Sequence, residues 1–556
     1  MPLIAAEGLR LDMDAGDYGV LAVYFIVVLG IGFAARRSVA SSLDFFLSGR
    51  SLPAWVTGLA FISANLGAIE LLGMAANGAQ YGLPTLHYYW IGAIPAMVFL
   101  GLVMMPFYYG SKVRSVPEYL RLRFNKPTHL FNALTFAFAS VLIAGVNLFA
   151  LALIMQALLG WSLAVSIVVA AFIVLAYTTL GGLTAAVYNE VLQFWVIVLF
   201  LVPLTVVGLV KVGGWDGLTQ QVRDSDLGNA ALNAWEGTSV GSSTSAFGNW
   251  IAIAFGLGFV LSFGYWTTNF AEVQRALSAK NMNAARLTPI IGAYPKMLIP
   301  FVIIVPGLIA SQIIPGLGGE GDLQYNNAVP LMVNDLLPNG VLGIALTGLL
   351  AAFMAGMAAN VSSFNTVVTY DIIEPYVKRG MSDEWYLRMG RIVTVAGVLV
   401  AIGTAFIASG YQNIMDYIQL LFSFFNAPLF ATFIIALFWA RATPWAGLAG
   451  LVAGTLGAAA AHYGHEWEIV NLGTAQAAAF WGAGVAFVAD AVVTVAVSLV
   501  TRPKPREQLR GLVWSETPEE LRRPRRERGD HGWYRSPAVL GSGVLATTLA
   551  LNFAFG

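Results

Sequence analysis

Apolar stretches long enough to cross a bilayer recur along this chain, separated by short charged segments or by Gly- and Asn-rich ones. A spanning helix needs about 20 mostly apolar residues. Fourteen such runs are predicted: 18–35, 53–79, 84–109, 130–158, 161–182, 187–210, 248–272, 289–312, 340–370, 389–410, 415–440, 443–463, 474–500 and 536–555. The first follows a mixed-charge start without a basic leader, so it reads as a retained span and not a signal peptide. The stretch SVPEYLRLRF at 115–124 has the look of a short amphipathic helix on the inner surface.

Basic residues orient this pattern, because internal loops of membrane proteins collect Lys and Arg. With an external N-terminus, 26 of the 30 Lys and Arg fall in internal segments. Three (Arg10, Lys211 and Arg223) are external, and Lys296 lies inside a run. Both termini are therefore expected outside a cell membrane crossed many times. The domain plan that follows is an N-terminal segment with an extra helix and internal loop (1–52), a first helical repeat (53–210), an external loop (211–247), a second repeat (248–440), additional helices (441–500), a charged internal loop (501–535) and a last helix (536–556). The internal loop ends RRPRRERGD; it reads as a solvated loop that enforces topology, with contact to anionic membrane lipid as the alternative.

Composition fixes the class. The chain of 556 residues is 58% hydrophobic and 11% charged, against about 25% charged for soluble domains. Soluble enzymes, disordered scaffolds and nucleic-acid binders are disfavoured together. No cysteine is present, so disulfide frameworks, thiolate catalysis and Cys-based metal sites are excluded. Net charge is zero and says nothing about partners. The expectation is an all-α polytopic membrane protein.

Charges within spans are costly and mark sites of function unless they form satisfied structural pairs. Glu70, Glu190, Lys296 and Asp490 fall in or near span interiors; Asp371 and Asp416 lie close to span ends. Asp490 has no informative neighbours and stays unassigned. Two spans read as broken. One, FISANLGAIELLGMAANGAQYG, sets Gly67, Gly73 and Gly78 around Asn65 and Glu70; the other, FGLGFVLSFGYWTTNF, sets three glycines before Tyr265, Thr267, Thr268 and Asn269. Glycine alone is explained by helix packing; polar residues clustered with it point to backbone freed to line a cavity. Spans two to six form a set of five helices that begins inside and spans seven to eleven a set of five that begins outside, the arrangement of two inverted five-helix repeats, each opening on its broken helix.

These stretches, with FFLSGRSLPAW (45–55), YTTLGGLTAAVYNEVLQF (177–194), QRALSAKN (274–281), YPKMLIPFVIIVPG (294–307), NTVVTYDI (365–372) and DYIQ (416–419), resemble the sodium:solute symporters, in particular the bacterial sodium/galactose type. The resemblance covers roughly residues 17 to 500. It implies a symporter that imports a small polar solute, first a sugar or polyol, driven by sodium. It also implies a solute site of Tyr265, Trp266, Asn269, Lys296 and Gln419, with Asn65 as the partner of the gating Tyr265. Glu70, Tyr89 and Ser262 take positions where glutamine, glutamate and asparagine are usual. The mixture suits a polyol, which needs groups that donate and accept beside an aromatic face. A Glu70–Lys296 pair also suits an amino-bearing or zwitterionic solute, and nucleosides, amino sugars and organic acids stay open.

The cation site implied by the family departs most. Its carbonyl positions fall on Ser63, Leu66 and Ala352, but its two hydroxyl positions fall on Ala355 and Gly356, which have no side-chain oxygen. Asn360, Ser362 and Ser363 lie one to two turns further on, too far along a regular helix to substitute directly. Glu190 is the acidic residue expected near the inner exit. Weak sodium binding through the carbonyls and Glu190 is expected, with proton coupling through Glu70 as the competing reading. A channel or facilitator would use the same broken helices, yet Tyr265, Trp266 and HYYW (87–90) read as closures. A sensor needs an output domain larger than 501–535. No nucleophile–base pairing or phosphate loop supports an enzyme, and no cofactor or obligate protein partner is implied.

Overall fold

The computed structural model describes residues 13–35, 41–240, 244–245, 247–319, 323–338, 340–411, 413–519 and 532–556. Arg10, Arg36, Arg37 and the RRPRRERGD end of the charged loop lie outside them. The described chain is helical, with an isolated parallel bridge between Leu52 and Ala279. Among the described residues, ten helices are long and apolar enough to cross a membrane, eleven if one bent pair is counted as a span.

In chain order the main helices are α1 (Ala15–Ala35), α2 (Ala54–Asn65), α3 (Ile69–Tyr81), α4 (Leu83–Gly110), α5 (Lys126–Leu159) and α6 (Leu163–Lys211). They continue as α7 (Ala252–Thr268), α8 (Phe270–Leu277), α9 (Met282–Ile313), α10 (Leu342–Val377) and α11 (Asp383–Ala408). The last four are α12 (Ile414–Phe438), α13 (Ala446–Glu466), α14 (Ala475–Val500) and α15 (Pro537–Ala554). The helix α10 lies at the centre, almost wholly buried, whereas α1 and α15 lie at the periphery. Ile26, Phe172, Leu456 and Phe553 point outward, exposed, as side chains that face lipid do.

Runs 161–182 and 187–210 are two helices within α6 that follow each other without a loop, the chain kinking sharply between them. The chain passes between them through Gly182, at φ 56° and ψ −152°. A Cβ there would lie 2.6 Å from the Phe45 carbonyl oxygen, so both conformation and space require glycine.

Both expected breaks are present. α2 and α3 meet at 57°, the chain turning at Leu66 with ψ 43°. A break frees backbone donors that lipid cannot satisfy. Here Asn147 of α5 accepts from the Ala68 amide at 3.0 Å, capping α3 from another helix. Its oxygen lies between Gly67 and Gly356, 2.5 and 2.3 Å from where a Cβ would sit on each. The second break is Asn269, extended at ψ 112°, whose side chain accepts from the Ala271 amide at 3.0 Å to cap α8.

The helix α9 runs along both halves of the first broken helix. Thr57 and Thr288 share a 2.6 Å hydrogen bond beside Gly58. Further out, a Cβ on Gly78 would lie 2.5 Å from the Ile304 carbonyl oxygen, and one on Gly307 2.1 Å from that of Ala75. Four prolines, Pro289, Pro295, Pro300 and Pro306, interrupt the hydrogen-bond ladder of α9 and let it follow the bend.

The segment 115–124 corrects the surface reading. Its helix, Val116–Arg123, is buried along Val116, Pro117, Tyr119, Leu120 and Arg123. Arg123 donates to the carbonyls of Ala436 (2.8 Å), Trp439 (2.9 Å) and Ala442 (3.1 Å), around the C-terminus of α12. A cation there meets the negative end of the helix dipole and the last free carbonyls. Arg123→Met should destabilise the protein by about 3 kcal/mol or more, because each buried acceptor left unpaired costs about 1–3 kcal/mol. A detergent-solubilised variant that unfolds thermally at the wild-type midpoint would contradict this. Asp490 also has a structural setting: it accepts from Thr432 at 2.7 Å and Thr494 at 3.1 Å, joining α12 to α14.

Candidate functional site

Helices α2, α3, α4, α7, α9 and α12 converge on a cavity with room for a guest of about 50 Å³. Its lining includes Glu70, Tyr89, Ser262, Tyr265, Trp266, Lys296 and Gln419, with Asn65 at its edge. Ile69, Met74, Leu257, Leu261, Met415 and Phe422 supply an apolar wall. Of the solute residues expected from sequence, Asn269 is left out; it faces a smaller neighbouring cavity.

A continuous polar chain crosses this site. Lys296, buried, forms an ion pair with Glu70 and donates also to Asn65. Tyr89 donates to the other oxygen of Glu70. The Lys296 ammonium also lies 4.7 Å from the centre of the Tyr89 ring and 5.3 Å from that of Trp266, so two aromatic faces replace part of its hydration. Asn65 Nδ2 donates to Tyr265 Oη at 3.0 Å, and that hydroxyl donates to Glu272 at 2.8 Å. Gln419 stands apart: buried among these groups, its Oε1 accepts no hydrogen bond. Buried acceptors are paired in the great majority of cases, so this oxygen is available to a ligand.

The residues named for cation binding are spread out. Ser63, Leu66 and Ala352 are buried and are not among the residues lining either cavity. Ala355 and Gly356 bring no side-chain oxygen, and the Asn147 amide sits against Gly356. Both oxygens of Glu190 are held by Arg275 of α8, deep in the protein, which leaves neither for a cation in this conformation. Asn360, taken as too distant, reaches back one turn: its Nδ2 donates to the Gly356 carbonyl at 2.8 Å, and it lines the smaller cavity.

Sequence reasoning missed Glu272 and Asn147. Glu272 is the last residue of an expected span, three before Arg275, and that edge position hid it among loop charges. Asn147 is an amide in the middle of the apolar run 130–158; an amide at such a depth was the available signal.

The sodium:solute symporter family model matches residues 45–454. The zebrafish (Danio rerio) sodium/glucose cotransporter 4 is 29% identical over 544 residues, covering 91% of this chain and 82% of the relative. The Vibrio parahaemolyticus sodium/glucose cotransporter is 28% identical over 456 residues, covering 79% and 83%. In fold, the chain is similar to the substrate-bound outward-open state of a Na⁺-coupled sialic acid symporter, with a TM-score of 0.74 at 19% identity over 88% of this chain and 99% of that one. A motif order read from scattered segments and a family match over most of the chain agree: this protein belongs to the sodium:solute symporter family.

Proposed function

We propose that the protein is a sodium-driven symporter that imports a neutral sugar or polyol across the cell membrane. The unpaired Oε1 of Gln419 carries this reading. It faces a cavity that offers a donor in Lys296, acceptors in Glu70 and Asn65, and an apolar wall against the C–H face of a ring. The named relatives, sodium/glucose cotransporters, favour the same solute class. A zwitterionic or amino-bearing solute is the second reading, favoured by the adjacent opposite charges of Glu70 and Lys296.

The transport frame is fourteen spans with both termini external. Helices from 54 to 211 and from 252 to 438 form two inverted five-helix repeats that rock against each other, and Tyr265 with Asn65 closes the inner side of the solute site. Tyr265 links the two broken helices through a single hydroxyl. Tyr265→Phe keeps the ring and should reduce uptake several-fold, whereas Tyr265→Ala should reduce it much further; equal losses would argue against a hydrogen-bonded closure.

The reading is tested by uptake of radiolabelled hexoses, polyols and amino sugars into proteoliposomes under an inward sodium gradient, with choline replacing sodium as control. Sodium-dependent accumulation of a sugar or polyol is expected, and Gln419→Ala should weaken it 10- to 100-fold, about 1.4–2.8 kcal/mol. Accumulation without sodium, or of no sugar or polyol tested, would reject it.

A further inference from the structure

We propose that Glu272 holds the driving sodium ion, in the small cavity beneath the solute site between the two helix breaks. The inference rests on the reading of the protein as a sodium-driven symporter and assigns the residue that captures the ion.

Between the solute cavity and the inner end of α8, three carboxylates are buried: Glu70, Glu190 and Glu272. Two cations accompany them. Lys296 is taken by Glu70 and Arg275 by both oxygens of Glu190. Glu272 is left with one hydrogen bond, from Tyr265 to Oε1, while Oε2 has no partner. An ionised carboxylate buried without a counter-charge is among the most expensive arrangements a protein can hold. A carboxylate in this setting takes up a proton or a cation.

The surroundings supply the rest of a hard-oxygen cage. The cavity that Glu272 lines is bordered by the amides of Asn65, Asn147, Asn269 and Asn360. Asn360 has its nitrogen committed to Gly356, which turns its oxygen elsewhere. The oxygens of Asn65, Asn147 and Asn269 accept one hydrogen bond each, and an amide oxygen has a second lone pair. Ala64 and Asn65, the C-terminal end of α2, form part of the wall, and that end of a helix carries partial negative charge. Carbonyl oxygens at broken-helix ends are the usual sodium ligands of transporters. The space for a guest is about 10 Å³, on the scale of one water molecule, which excludes the solute and admits a small desolvated ion.

Position gives the site a role. Asn65 and Tyr265 line both the solute cavity and this one, and the Tyr265 hydroxyl is shared between Asn65 and Glu272. An ion on Glu272 therefore fixes the group that links the two broken helices, and ion occupancy is felt at the solute site without direct contact.

The test needs no solute. Thermal unfolding of the purified full-length protein in detergent is followed as NaCl replaces choline chloride at constant ionic strength and pH. The wild type should gain stability along a saturating curve. Glu272→Gln, which keeps the acceptor for Tyr265 but loses the charge, should need at least tenfold more sodium or lose the response. Glu272→Asp, which keeps the charge but shortens the reach, should respond with reduced affinity, and it serves as the readout if the Gln variant does not fold. A sodium response of wild-type strength in Glu272→Gln, or in Glu272→Asp should only that variant fold, overturns the assignment of Glu272 and leaves sodium coupling standing. Absence of any sodium response in the wild type overturns both.

Discussion

Replacing Arg275 by Met is expected to lower stability by about 3–5 kcal/mol, enough to deplete folded protein from the membrane. Arg275 is fully buried and holds both oxygens of Glu190 while donating to the Ala271 carbonyl at 2.7 Å. Removing one partner of a buried pair strands the other charge in a medium that solvates it poorly, and that stranded charge dominates the cost. Removing both charges, with Glu190→Gln and Arg275→Met combined, should recover most of the loss, because the desolvation penalty vanishes along with the attraction. The Ala271 carbonyl stays unpaired in the double variant, so recovery should stop short of wild type. The measurement is a double-variant cycle on thermal unfolding in detergent. Additive losses in the double variant would mean that the two side chains stabilise the fold separately and not as a pair.

Lys296→Met should cost a similar amount, about 3–5 kcal/mol, with a different rescue. It strips Glu70 of its counter-ion and also removes the cation held against Tyr89 and Trp266. Combining it with Glu70→Gln should restore folding, since Tyr89 can still donate to the glutamine oxygen. Uptake should remain at least tenfold impaired, because the donor and the acceptor facing the solute are gone together. Stability and transport should therefore separate in the double variant, whereas for Arg275 and Glu190 stability is the property in question. Wild-type uptake by the folded Glu70→Gln, Lys296→Met protein would remove the pair from the solute site.

The helices were legible because apolar runs of bilayer length leave few alternatives. Predicted and observed boundaries agree to within a few residues for most spans; 474–500, for example, corresponds to Ala475–Val500. Sequence could not tell that the helices of 161–182 and 187–210 follow each other without a loop, because a single glycine with left-handed φ carries the chain through the corner between them. The polar lining was legible for a related reason: Glu70 and Lys296 violate the apolar rule in mid-span and are easily seen. Arg123 and Glu272 lie at the ends of elements, where charge is ordinary. Only packing of distant helices around them reveals that both are buried. The reach of Asn360 was hidden for a different reason. Counting along α10 treats a side chain as fixed at its own level, but Asn360 reaches back a full turn to Gly356.

The close fit of α9 against both halves of the bent helix has a consequence for how the sequence tolerates change. In a saturation-mutagenesis selection for transport, the residues facing the solute should permit some exchange, since another hydrogen-bonding group can serve there. Gly78 and Gly307 should permit none, because each stands where the smallest added carbon would strike a backbone oxygen of the facing helix, and backbone has no rotamer to yield. The positions at which every variant fails would trace the splint that holds the bend open, well away from any ligand. Ranked by intolerance alone, they would be mistaken for the binding site.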